Sequence, residues 1–264
     1  FLGGLLARRY RDDPEVDIYF ISRAQALENI RSRGLIVESQ QGNFTARPKA
    51  ATDSAAEIGE MDYILLCTKA YDIEGAVGQI RPAIGPRTLI LPFLNGVDSA
   101  EEVERMLPGH AVWDGCVYVV AFIVEPGRIA EHTNGYRYLF GSAQGPDERL
   151  EELERIFTGA EVRARLVPDI TRRVWDKFAF ISTVATATSY TDEPYGGVLG
   201  NPDYRAQFTA LLDEFQAVAK AKGIVLSDGI AAQVVDQMER IPTDTTTSMQ
   251  RDFRAHRSTE LESL

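Results

Sequence analysis

The sequence predicts an α/β domain built on parallel strands, followed by an all-α domain. Three observations carry that prediction. Compact apolar runs at residues 16–21 (VDIYFI), 63–67 (YILLC) and 88–92 (TLILP) alternate with helix-compatible stretches through the first half of the chain. Continuous apolar strands separated by helices are the pattern of βαβ units, whose strands are covered on both faces. After Pro168 the strand signals nearly vanish and long helix-compatible stretches take over. The length of 264 residues suits one large or two modest domains. The expected boundary falls near Val167-Pro168, dividing the chain into 1–167 and 168–264.

Taken in order, residues 1–11 read as a helix already under way, without an initiator Met or an N-capping residue. The chain also stops at Leu264 without a helix-terminating signal, so both ends are expected to be truncated. A strand at 16–21 precedes a helix at 24–33 that ends at Gly34, a natural C′ residue. Residues 35–37 and 44–48 flank a polar Gln-Gln-Gly-Asn turn and predict a hairpin. The strands at 63–67 and 88–92 are each followed by a helix, near 72–82 and at 99–106, the latter entered through Asp98 and Ser99 as capping residues. Two longer strands, 116–124 and 136–140, bracket a turn at Glu125-Pro126-Gly127. A charged helix at 147–158 and a last strand at 161–166 complete the first part. Beyond it, helices are expected at 169–190, 201–222 and 227–240, with turns near 194–197, 222–223 and 241–242. The stretch 247–260 is dense in polar and charged side chains, with almost no apolar stripe. Ordering each such side chain costs up to ~2 kcal/mol of rotamer entropy, so a ligand or a partner surface is expected to offset it.

Composition narrows the function classes. A net charge of −11 argues against nucleic-acid binding, which needs a basic surface, although a local cationic pocket can still take a small anion. The two cysteines, Cys67 and Cys116, sit in apolar strand-like runs and read as buried thiols without a disulfide framework or metal spacing. No run of ~18 apolar residues and no signal peptide is present, so a cytoplasmic protein without a membrane partner is expected.

In a doubly wound sheet, the carboxyl ends of the strands are where chemistry gathers. Ser22-Arg23 follows the second-strand candidate, the place that faces an adenosine ribose. An acidic residue there favours the free hydroxyl of NAD; a guanidinium grips a 2′-phosphate bidentately and favours NADP. The alternative is a solvated first-turn arginine. The glycine fingerprint that should precede this strand is absent. Only Gly3-Gly4 remain, on the helix it would open, where small residues equally serve helix–sheet packing. A Rossmann-like reading therefore cannot rest on its usual motif, and the first strand and glycine loop are expected to be missing. Lys69 ends the run YILLC, where it could meet substrate or cofactor or simply start a surface loop. Asn95-Gly96 ends TLILP and is by itself only a turn. Lys177 lies among apolar and aromatic residues in VWDKFAF. Burial would lower its pKa and suit it to donate a proton near neutral pH; a snorkelling lysine covering a helix face is the plainer alternative. His110, His132 and His256 do not cluster at metal spacing.

Taken together, the segments FLGGLLAR, ISRAQALENIRSRGL, LLCTKAYD, LPFLNGVDS, VWDKFAF and TSMQRDFRAHRSTELE resemble the ketopantoate reductase (2-dehydropantoate 2-reductase) family, in order and across essentially the whole chain. The resemblance implies an NADP-binding Rossmann-like domain at 1–167 and a helical substrate and dimerisation domain at 168–264, hence a homodimer as an expected assembly. The active site would lie in the cleft between the domains. It implies NADPH-dependent reduction of a small 2-oxo acid, 2-dehydropantoate, to (R)-pantoate in pantothenate and coenzyme A biosynthesis. Ser22 and Arg23 would bind the cofactor, with Arg23 on the 2′-phosphate. Lys69 and Asn95 would line the cofactor and substrate cleft. Lys177 would be the catalytic acid. Ser248 would hydrogen-bond the substrate, and Glu260 would orient the substrate hydroxyl or Lys177. The chain departs from the family pattern at three positions. The family commonly has Asn four and eight residues after the catalytic Lys, and another before the Gly of the next loop; here Ile181, Ala185 and Tyr195 stand there. Ser182 and Thr186, one residue away, would point elsewhere on an ideal helix. Three amide contacts would thus be lost, which favours a less polar 2-oxo acid or the same substrate held differently. The alternatives are a reductase of another 2-oxo acid or of an imine, and a non-catalytic NADP-binding sensor. Retention of Lys177 and Glu260 argues against the sensor, which needs no proton donor.

Overall fold

The structure, a computed structural model, describes residues 1–133 and 135–264. Helix α1 (Leu2–Arg9) leads to β1 (Tyr19–Ile21) and α2 (Ala24–Arg33). Helix α2 stops at Gly34, with φ 84° and its N–H on the Ile30 carbonyl. A Cβ there would lie 2.8 Å from the Ala46 carbonyl oxygen, so both conformation and space require glycine. Strands β2 (Leu35–Ser39) and β3 (Phe44–Ala46) form the predicted antiparallel hairpin, Val37 opposite Phe44. Strand β4 (Ala50–Thr52), three residues with no sequence signal of its own, pairs in parallel with β1.

Next come β5 (Met61–Leu66), α3 (Ile73–Ile80), β6 (Ile84–Pro92), α4 (Ser99–Met106) and β7 (Ala111–Val112); the three strands are parallel, in the order β5-β6-β7. The run TLILP is continuously apolar because β6 is buried on both faces. Leu89 and Leu91 pack into a core with Leu2, Leu6 and Phe157, whereas Ile90 packs with Val77 and Val103 of α3 and α4. These are the parallel βαβ units that the apolar runs predict.

The single strand expected at 116–124 is a correction. It is two strands, β8 (Asp114–Tyr118) and β9 (Ala121–Glu125), that belong to different sheets. Strand β9 turns through Pro126-Gly127 into β10 (Arg128–Glu131), which the sequence did not predict and which continues the sheet onto β2 in parallel. Strand β8 pairs instead with β11 (Arg137–Gly141). The apolar residues run straight through 116–124, so nothing local marks the change of sheet; the distant partners β2 and β11 decide it. Helix α5 (Glu148–Gly159), capped by the Asp147 carboxylate on the Arg149 N–H, and β12 (Ala164–Leu166), parallel to β11, follow.

From Ile170 onward all regular structure is helical: α6 (Ile170–Thr191), α7 (Tyr195–Gly200), α8 (Pro202–Ala221), α9 (Ile230–Glu239) and α10 (Ser248–Arg254). Their core holds Trp175, Phe208, Leu212 and Met238. Helices α7 and α10 were not predicted. The first is six residues with three glycines, and packing under α8 and α9 rather than propensity holds it. The second buries only Met249 and Gln250.

Two further expectations change. Cys116 is buried, but Cys67 is exposed at the end of β5. The polar side chains of the last segment find much of their compensation inside the chain. Arg251 donates to the Thr246 carbonyl (2.7 Å), Arg254 to the Asp192 carboxylate (2.6 Å) and Gln250 to the Glu193 carbonyl (3.2 Å), while Arg257 pairs with Asp252 (3.0 Å). Among the described residues no helix is long and apolar enough to cross a membrane.

Candidate active site

Helix α6 has two working faces. Trp175 and Phe178 turn into an aromatic cluster with Phe215, at centroid distances of 5.8–6.1 Å. Lys177 leaves the opposite way. Its Nζ donates to Asn95 Oδ1 at 2.8 Å, a bond that joins the helical half to the loop after β6. Asn95 and Gly96 do form a turn, with Gly96 at φ 100°, and the turn is what carries the amide to the lysine. Lys177 is half-buried. Burial lowers its pKa below the ordinary lysine range, while the Cys116 and Glu260 charges oppose that in part.

Glu260 is 4 % exposed, and Lys69 Nζ donates to its Oε2 at 2.6 Å. Glu260, expected to orient the substrate hydroxyl or Lys177, accepts its hydrogen bond from Lys69, and Lys177 feels the carboxylate through its field. The tail then runs over the Asn95-Gly96 turn, where a Cβ on Gly96 would lie 3.3 Å from the Ser263 carbonyl oxygen. The C-terminal segment therefore touches the carboxyl ends of both β5 and β6.

Residues 177, 181, 185 and 188 recur at helical spacing on α6. Thr188 and Thr247 share a hydroxyl hydrogen bond of 3.0 Å, which pins the start of α10 to this face and leaves Ser248, the next residue, exposed. Ile181 is partly exposed and Ala185 buried on the same face. The Ser182 hydroxyl is spent on the Phe178 carbonyl at 2.6 Å, so it replaces no missing amide. Tyr195 is buried in the helical core, its ring 6.5 Å from that of Phe180. Sequence reasoning missed Thr188 and Thr247. The second had a signal: Thr247-x-x-Gln250 has the spacing of a capping box, and Thr247 Oγ1 does accept the Gln250 N–H.

At the other end, the residues present suit a dinucleotide cofactor. Ser22 continues β1 through its N–H on the Thr52 carbonyl, at 2.9 Å. Arg23 follows in extended conformation as N-cap of α2, exposed and without an ion pair among the described residues. Beside Lys69, Thr68 Oγ1 is buried without a hydrogen-bond partner. An unmet buried hydroxyl costs ~1–3 kcal/mol, a deficit that a ligand in the crevice would remove. No group of carboxylates, histidines and cysteines suited to a metal ion occurs among the described residues.

The family described as "Ketopantoate reductase PanE/ApbA" matches residues 1–145, and "Ketopantoate reductase PanE/ApbA C terminal" matches residues 169–264. The solved structure of 2-dehydropantoate 2-reductase from Porphyromonas gingivalis W83 is 36% identical, with a TM-score of 0.85, covering 98% of this chain and 91% of that one. The 2-dehydropantoate 2-reductase from Methylococcus capsulatus is 28% identical with a TM-score of 0.87, covering 100% and 83%. The uncharacterized oxidoreductase YkpB of Bacillus subtilis (strain 168) is 25% identical over 98% of this chain and 84% of its own length.

Proposed function

The chain belongs to the ketopantoate reductase family, and from that premise we propose that it is an NADPH-dependent reductase converting 2-dehydropantoate to (R)-pantoate, in the cytoplasm, on the route to pantothenate and coenzyme A. The observation that carries this reading is the hydrogen bond from the half-buried Lys177 to Asn95 across the cleft. NADPH, when bound, supplies the hydride that the ketone carbon accepts. Charge then develops on the carbonyl oxygen, and Lys177 stabilises it and donates a proton. Asn95 takes one of the three ammonium hydrogens and so directs the other two toward the cleft. Ser248 hydrogen-bonds the substrate from the start of α10. Glu260 holds Lys69 and adds a negative field that keeps Lys177 protonated. Ser22 and Arg23 receive the adenosine 2′-phosphate, and Lys69 and Thr68 face the cofactor in the crevice. We assign 1–167 to cofactor binding and 168–264 to substrate binding and dimerisation.

The test is NADPH oxidation by the full chain with 2-dehydropantoate, beside a panel of 2-oxo acids without a second hydroxyl. Efficient turnover of 2-dehydropantoate supports the named reaction. A second reading, a reductase of a less polar 2-oxo acid, is favoured by Ile181 and Ala185 on the Lys177 face, and turnover confined to the hydroxyl-free acids would select it. Absence of turnover with every member of the panel would sink both and leave a cofactor-binding sensor.

A further inference from the structure

A cluster of four arginines stands out on a chain whose net charge is −11. Arg137 of β11, Arg163 and Arg165 at β12 and Arg173 of α6 line one open cavity of about 380 Å³, with Leu139, Ala164 and Val167 as its apolar remainder. None of the candidate site residues of the cleft lines it. The buried cluster of Cys116, Leu139, Val167, Ile170 and Val174 lies between β11 and α6, and neither Lys177 nor Asn95 lines the cavity.

Strand register forces the charges together. Leu139 lies opposite Arg165, and the Tyr138 N–H bonds the Arg163 carbonyl at 2.9 Å. Residues 137, 139, 163 and 165 therefore share one face of the sheet. Like charges side by side on a sheet face are destabilising. Arg173 is paired with Asp169 at 3.1 Å, but no carboxylate among the described residues pairs with Arg137, Arg163 or Arg165. Two of the three are braced by aromatic rings: Arg137 lies 4.6 Å from the Tyr118 centroid and Arg163 5.9 Å from that of Tyr136. A ring offers a guanidinium no hydrogen-bond acceptor, so the N–H groups of both stay available for phosphate oxygens.

We propose that this face is a binding site for a small molecule bearing a polyphosphate group. Several guanidiniums without carboxylate partners need several anionic oxygens, which one carboxylate does not supply. The small size of the cavity and the acidic remainder of the surface disfavour an extended polyanion such as nucleic acid. The apolar remainder gives room for an organic part beside the phosphates.

The test is calorimetric titration of the full chain with inorganic tripolyphosphate and, separately, with a nucleoside triphosphate. Wild type is compared with Arg163→Ala/Arg165→Ala and with Arg23→Ala. Binding is expected in wild type and in Arg23→Ala, and the double variant is expected to lose about tenfold or more in affinity, as removal of two charge-assisted contacts implies. Tighter binding of the nucleoside triphosphate identifies a nucleotide, and equal binding identifies the polyphosphate group alone; both support the site. Absence of binding up to millimolar ligand overturns it. So does loss in Arg23→Ala with retention in the double variant, because the anion would then sit where the cofactor does. Both mutated arginines are exposed; a thermal melt checks folding, and Arg165→Ala alone serves if the double variant melts early.

Discussion

At the scale of single residues, the Lys177 ammonium is pulled two ways: burial lowers its pKa, and the Cys116 and Glu260 charges raise it, with burial the larger. Lys177→Ala should cost ~10²–10⁴ in kcat, the usual worth of a positioned acid, and leave the NADPH dissociation constant nearly unchanged; steady-state rates and a fluorescence titration read the two. The protonated lysine is the donor, so kcat/KM for reduction should fall as pH rises through its lowered pKa, below the ordinary lysine range. Glu260→Gln removes a charge that raises this pKa, so the limb should move to lower pH; a pH–rate profile that stays in place would remove Glu260 from that role. Arg23→Ala should weaken NADPH by ~10–100-fold, the worth of a charge-assisted hydrogen bond, and NADH far less; equal losses would reject the 2′-phosphate contact. Residue type and order pointed to Lys69, Asn95 and Lys177. Their partners were not readable, because Lys69 finds Glu260 from 191 positions away.

At the scale of elements, α10 shows how a short polar segment becomes a helix. Thr247 caps it on the Gln250 N–H and also bonds Thr188, while Arg251 and Arg254 anchor its two ends. Thr247→Ala should destabilise the protein by ~1 kcal/mol or somewhat more, as loss of a cap does. Urea unfolding measures that cost, and KM for the 2-oxo acid should rise because Ser248 follows the cap directly. The strands of the first half were readable where burial on both faces makes a run continuously apolar, as in β5 and β6. Strands β4, β7 and β10 were not, since two to four residues of ordinary composition become strands only when a partner supplies the hydrogen bonds. The same holds for the break between β8 and β9.

At the scale of the whole molecule, two side-chain bonds tie the helical half and its tail to the β-strand crevice: Lys177 to Asn95 and Lys69 to Glu260. If both hold the same closure, losing one should weaken the other. A double-mutant cycle of Asn95→Ala and Glu260→Ala should then give a coupling of ~0.5–3 kcal/mol in unfolding free energy, whereas simple additivity would mean that the two bonds act separately. The α/β-then-helical order and the candidate lysines follow from the sequence alone, because apolar periodicity and residue chemistry are local properties of a chain; Ile181 and Ala185 stood out only through the resemblance to the family. Which carboxylate meets which lysine, which sheet takes each short strand, and that four arginines face one cavity were decided only by the tertiary structure. Those depend on strand register and helix packing between segments far apart in the chain, where no local pattern records the partner.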